Sequence, residues 1–132
     1  MKLTSKQDSV LSLLLQEKKT LSAYTILERL RHQGFRAPLQ VYRVLDKLIE
    51  LGLVHRLESM NSFIACSYPQ FENHTLIAFT ICKHCENITE FHNKILNEEL
   101  NKYMQTIHFQ EEGTKLEIRG TCALCQKRQV IS

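Results

Sequence analysis

Two Cys-x-x-Cys pairs, Cys82-Lys83-His84-Cys85 and Cys122-Ala123-Leu124-Cys125, constrain this chain more than any other feature. Two intervening residues let both thiolates of a pair face one ion, and four thiolates complete a closed tetrahedral zinc site. The pairs stand 36 residues apart, farther than in a compact zinc ribbon, so one ion would staple distant segments rather than build a finger. A redox pair of the thioredoxin type would need a βαβ context, which the flanking pattern does not supply.

The opening residues Met1-Lys2-Leu3-Thr4-Ser5-Lys6 lead into the broken apolar pattern of Val10 to Leu15 without a small-residue cleavage site, so no secretory signal is expected. No apolar run reaches the ~18 residues that span a membrane. The expected location is the cytoplasm, where thiols stay reduced and paired cysteines bind metal rather than form disulfides. There are five cysteines, and Cys66 is left over. A chain of 132 residues, 43% hydrophobic and 23% charged, has room for one domain or two small ones.

The net charge of +3 is uneven. Residues 1–60 hold 10 Lys/Arg against 6 Asp/Glu, and the rest hold 7 against 8. A basic first half fits a polyanion partner, although many proteins with this balance bind no nucleic acid.

In that half, Thr4 or Ser5 can cap a helix through about Glu17, with Val10, Leu11, Leu14 and Leu15 on one face. Ser22 precedes and Gly34 follows a second helix over Ala23 to Gln33, with Ile26, Leu27 and Leu30 turned inward. Pro38 opens a third helix that ends before Gly52. Val41, Val44, Leu45, Leu48 and Leu51 form its buried stripe, and Tyr42, Arg43, Asp46 and Lys47 fall outside it. Residues 53–58 and 62–66 read as a hairpin around Ser59-Met60-Asn61.

Three helices followed by a hairpin is the order of a winged helix-turn-helix, whose third helix enters the major groove. Arg43 is the candidate base reader, because a guanidinium can donate two hydrogen bonds to guanine O6 and N7. Tyr24 and Tyr42 could contact phosphate or a base edge. The pattern alone reads equally well as the solvated face of a small helical bundle.

The second half reads as strands over 75–81, 87–91 and 114–119 and a helix over 93–107, with Ile95, Leu96, Leu100, Tyr103, Met104 and Ile107 on its apolar side. So small a sheet with one helix would leave apolar surface exposed, which suits a dimerisation unit. Beyond the cysteine pairs, the metal-competent side chains are His55, Cys66, His74 and Glu90. Imidazole, thiolate and carboxylate together suit zinc, and the thiolate disfavours magnesium or calcium. Spacing alone does not join these four into a site. Singly, His55 fits a wing residue near DNA, Cys66 a small buried hydrophobe, and His74 and Glu90 ordinary surface positions.

Taken together, Val41-Tyr42-Arg43-Val44-Leu45-Asp46-Lys47-Leu48, Gly52 through Asn61, Ala65-Cys66, His74, Cys82-x-x-Cys85, Glu90 and Gly120-Thr121-Cys122-x-x-Cys125 resemble the ferric uptake regulator (Fur) family. The likeness is greatest to its zinc-uptake branch (Zur), above all along His55-Arg56-Leu57-Glu58-Ser59, Asn61, Phe63 and Cys66. It covers nearly the whole chain.

The resemblance implies an α+β protein: a winged helix-turn-helix over 1–67, a hinge over 68–74 and a small zinc-stapled α/β dimerisation domain over 75–132. It implies a cytoplasmic repressor, not an enzyme, that binds double-stranded operator DNA as a homodimer when zinc is replete and controls zinc-uptake genes. No membrane or small-molecule substrate is involved. Residue by residue, Cys82, Cys85, Cys122 and Cys125 match the structural zinc site. His55, Cys66, His74 and Glu90 match the regulatory zinc site, giving two Zn2+ per monomer. Tyr24, Tyr42 and Arg43 match the DNA-contacting positions.

Three departures bear on this. Gln40 stands where the family commonly has threonine, which touches operator preference. Asn73-His74-Thr75 replaces the His-rich run of iron-type members, and no His-rich stretch follows Cys125. Both of the latter favour zinc over iron and argue against a third metal site. The rivals are an iron or peroxide sensor of the same family and a zinc-stabilised adaptor that binds no DNA. The chain has no His-Glu-x-x-His and no glycine-rich phosphate loop, so an enzyme is the least favoured reading.

Overall fold

Thr4 opens the first helix with a reciprocal cap: its Oγ1 accepts from the Gln7 N–H at 3.1 Å, and Gln7 Oε1 accepts from the Thr4 N–H at 3.0 Å. Helix α1 then runs Ser5–Glu17. The computed structural model describes residues 2–17, 19–67 and 76–131, the last three as backbone only. The chain divides into two compact units, Met1–Pro69 and Gln70–Ser132. The expected hinge over 68–74 lies outside the described residues.

In the first unit, Ser22 caps α2 (Ala23–Leu30) by accepting from the Thr25 N–H at 3.2 Å. The helix tightens into a 3-10 turn over Arg31–Gln33 rather than staying α-helical to Gln33. Gly34 ends it at φ +94°, a backbone conformation that strains any other L residue. Helix α3 spans Pro38–Glu50. Strands β1 (Val54–Leu57) and β2 (Ser62–Ala65) pair antiparallel. Leu21 adds a bridge to Phe63 through two backbone hydrogen bonds of 2.9 and 2.8 Å. Three helices and a hairpin are therefore present in the order the sequence implies.

The core of this unit joins α1, α2, α3 and the hairpin through Val10, Leu14, Ile26, Phe35, Val41, Leu45, Leu48 and Val54. Three positions differ from expectation. Leu15 is 55% exposed, with Leu11 and Leu13 flanking the buried Val10 and Leu14 instead. At 100° per residue, Leu15 points well away from the Val10–Leu14 axis. Leu51 forms the C-cap of α3 and is only half-buried. Tyr42, placed outside the stripe by spacing, is half-buried and meets the Phe63 ring edge-on at 6.3 Å.

The second unit contains β3 (Ile77–Cys82), β4 (Ile88–Phe91), α4 (Lys94–Thr106), β5 (Lys115–Gly120) and α5 (Ala123–Ile131). The sheet order is β4-β3-β5, with β4 antiparallel and β5 parallel to β3. Asn93 caps α4 by accepting from the Leu96 N–H at 2.9 Å, and Asn97 Oδ1 receives the Leu76 N–H at 3.1 Å. None of the α4 residues is buried, and Ile95 and Tyr103 stand open to solvent. Helix α5 has no counterpart in the sequence reading.

Candidate metal centres and nucleic-acid interface

The parallel pairing of β3 with β5 explains how pairs 36 residues apart meet. Parallel neighbours end at the same edge of a sheet and need a crossover of a dozen or more residues, supplied here by β4 and α4. Register places Cys82 beside Gly120, so each strand delivers a Cys-x-x-Cys at that shared edge. Cys82 closes β3, and the turn after it is held by the Glu86 N–H on the Cys82 carbonyl at 3.0 Å, with Glu86 at φ +62°. Cys122 precedes α5, and its carbonyl receives the Gln126 N–H at 2.9 Å, which sets Cys125 in the first turn.

All four sulfurs lie within 4.8 Å of one another, and none is in a disulfide. Cys85 Sγ and Cys122 Sγ are 3.8 Å apart. A tetrahedron with zinc–sulfur bonds of about 2.3 Å has sulfur–sulfur edges of about 3.8 Å, so the Cys85–Cys122 edge already has zinc-site length and the four sulfurs are close enough to close around one ion. The electrostatics point the same way. Backbone N–H groups of Cys85 and Cys122 aimed at Cys82 lower its pKa to about 5. Cys125, sharing a proton with the Cys122 thiol and buried, is pushed up to about 12. Four crowded sulfurs cannot all shed their protons without a cation to take their place.

His55 and Cys66 also come together. His55 pairs with Ile64 in the hairpin, and Cys66 lies two residues beyond Ile64, so both side chains share one face. A ring nitrogen of His55 and Cys66 Sγ lie within 4.8 Å. The Cys66 N–H is fixed on the Leu53 carbonyl at 2.9 Å. Glu90 sits on β4 in the second unit, buried against its register partner Phe79. His74 lies outside the described residues. The sequence reading passed over His92, whose Nε2 is 3.1 Å from Glu90 Oε2. The one available signal was its place two residues beyond Glu90, which puts both side chains on one face.

On the first unit, Arg43 is exposed on α3, and among the described residues no carboxylate pairs with it. By contrast Arg29 pairs with Glu17, Arg31 with Glu28 at 2.9 Å and Lys47 with Glu50 at 3.6 Å. Tyr24 is exposed in the first turn of α2. Arg36, which sequence reasoning did not single out, is exposed just before α3 and likewise has no ion-pair partner among the described residues. An exposed guanidinium without an ion-pair partner can meet a phosphate.

The model of the ferric uptake regulator family matches residues 1–119. The zinc uptake regulation protein of Escherichia coli (strain K12) is 33% identical over 125 residues, covering 94% of this chain and 72% of that one. A solved zinc uptake regulator complexed with zinc and DNA superposes with a TM-score of 0.89 at 30% identity, over 98% of this chain and 87% of that one. The holo form of XcZur gives 0.86 at 35% identity, over 96% and 88%.

Proposed function

The chain belongs to the ferric uptake regulator family, and on that premise we propose that it is a zinc-responsive transcriptional repressor. It binds operator DNA as a dimer when zinc fills a regulatory site, and so controls zinc-uptake genes in the cytoplasm. The observation that carries this reading is the likeness, over 98% of the chain, to a zinc uptake regulator complexed with zinc and DNA.

Each part of the reading has support in the chain's own residues. The four-thiol set fits a closed structural zinc site. The regulatory ion takes His55, Cys66, His74 and Glu90. This mixed set suits zinc, and two of its members already share a hairpin face. His92 holds the Glu90 carboxylate in place, as partners of metal ligands commonly do. Zinc at this site is the effector. It favours the DNA-competent arrangement only by binding that arrangement more tightly. Arg43 reads a base, with Tyr24 and Tyr42 as neighbouring contacts. The uncovered apolar side of α4, with Ile95, Tyr103 and Ile107, suits a second copy of the chain. No helix among the described residues is long and apolar enough to cross a membrane.

The test joins metal content to DNA binding. Elemental analysis and sedimentation are expected to give a dimer with about two zinc ions per chain at saturation. A duplex selected from a random library by the zinc-loaded protein is expected to bind only as the second site fills. One tightly held zinc and no zinc-dependent DNA binding would turn the reading toward an adaptor. Selectivity for iron would turn it toward an iron or peroxide sensor.

Arg43→Ala is expected to cost about 1–3 kcal/mol in binding to the selected duplex and to relax the preference at one base pair. A gel-shift series over single-base-pair variants reads this directly, and an unchanged preference profile would remove Arg43 as the base reader.

A further inference from the structure

Helix α3 starts without the side chain that normally caps a helix. Its N-cap is Ala37, which has no oxygen to offer the first turn. Gln40 compensates from inside the helix. Its Oε1 reaches back to accept from the Arg36 N–H at 2.6 Å and the Ala37 N–H at 3.2 Å. This is the returning half of a capping box, present without its other half.

The rest of that turn is pinned as well. The Gly34 N–H rests on the Arg31 carbonyl at 3.3 Å. Phe35 is 1% exposed, with the Lys6 ammonium 5.3 Å from its ring centre. Residues 34–37 are the turn between α2 and α3, so they set the angle at which α3 is presented. Gln40 and Arg43 lie three residues apart, on one face of α3.

We propose that Gln40 is a positioning residue for DNA recognition, clasping the α2–α3 turn so that Arg43 and Arg36 meet the duplex in a single pose. The proposal rests on the DNA-binding reading above. It also assigns Gln40 a role different from direct base reading. A glutamine reads adenine with its oxygen and its amide nitrogen together, and here the oxygen is already committed to two backbone donors.

Two variants, Gln40→Ala and Gln40→Glu, separate these roles. Both are first shown by circular dichroism to be folded. The zinc-loaded proteins are then titrated with the selected duplex, a scrambled duplex and single-base-pair variants of the selected one. For Gln40→Ala, affinity for the selected duplex falls about 3–30-fold, matching the loss of a helix cap. Affinity for the scrambled duplex barely changes, so the ratio between them shrinks. A glutamate keeps the acceptor for both N–H groups. Gln40→Glu therefore restores that ratio, although its charge weakens both duplexes together, more so at low salt.

An unchanged ratio in Gln40→Ala would overturn the proposal. So would a loss of discrimination at one base pair in Gln40→Glu, since that marks a direct base reader. If the unaltered protein selected no duplex in zinc, the functional reading would fall and this inference with it. Selection by the unaltered protein, together with an unchanged ratio in Gln40→Ala, removes the inference alone.

Discussion

Replacing Cys125 with serine is expected to unfold the second unit and leave the first one folded. That unit has a thin core: Ala78, Phe79 and Ile81 are buried in β3 and Leu76 just before it, while α4 contributes no buried residue. The shared edge of β3 and β5 depends on what joins the four sulfurs. Structural zinc sites contribute about 10–16 kcal/mol of apparent binding free energy at neutral pH, and that energy becomes folding free energy. Among the described residues, the buried core of the first unit runs from Val10 to Ala65, with Leu3 packed against it, so its melting transition should persist. The structural ion should be lost, and the regulatory ion weakened with it because its proposed ligand Glu90 lies on β4, while the amide resonances of 76–131 collapse and those of 19–67 stay dispersed. A single unchanged melting transition in Cys125→Ser would refute a structural role for the set.

The same site sets a pH dependence. Zinc needs the Cys125 thiolate, yet without metal its neighbours push that thiol up to about 12. Protons and zinc therefore compete, and apparent affinity falls as pH falls. The Cys82 thiol, lowered to about 5, is already charged at neutral pH and gives an arriving cation its first anchor. Competition with a chromogenic chelator across a pH series measures this slope.

Cys66→Ser is expected to do the opposite: the protein keeps its fold and loses its response. Cys66 lies outside the thiol tetrahedron and is half-buried at the end of the wing hairpin. Its replacement removes the soft ligand of the proposed regulatory ion while the structural ion stays. Typical allosteric couplings of about 1–3 kcal/mol correspond to roughly 5–150-fold in operator affinity. That zinc-induced gain should vanish in the variant, with melting temperature and dimer mass unchanged. Binding of the selected duplex with the same zinc dependence as the unaltered protein would exclude Cys66 from the site.

Much of the first unit was legible because its helix ends carry their own chemistry. Ser22, Gly34 and Pro38 mark boundaries by what their atoms can and cannot do, and the structure places helix limits beside them. The run Leu13-Leu14-Leu15 was harder, since three consecutive apolar residues cannot share a helix face, and spacing set Leu15 beside Leu14 where the fold turns Leu13 to the core. Helix α5 escaped because Gln126, Lys127 and Arg128 give it no apolar stripe. It is held by Cys125 and by a backbone bond to Cys122.

The thiol tetrahedron could be read from spacing because each half of it is local. The nearness of His55 and Cys66 could not, because it arises from hairpin register rather than from sequence distance. His92 stands only two residues beyond Glu90, and that spacing alone does not tell a carboxylate partner from an ordinary strand neighbour. The Gln40 clasp was hidden because a capping box is recognised by an oxygen-bearing N-cap, and Ala37 has none.

The parallel pairing of β3 with β5 also governs the order in which the molecule acquires its shape. The first unit contains local pairings, such as β1 with β2 and α2 with α3, and contacts between neighbouring elements form early. Ile77 must instead find Lys115, and the entropy of closing so long a loop is spent before any pairing rewards it. A metal ion that gathers both cysteine pairs closes that loop in one event, so zinc is expected to speed the folding of the second unit. A chain made where zinc is scarce would then wait half-formed, with its reading head complete and its second unit unassembled. Refolding rates of the second unit should accordingly follow free zinc, while those of the first should ignore it.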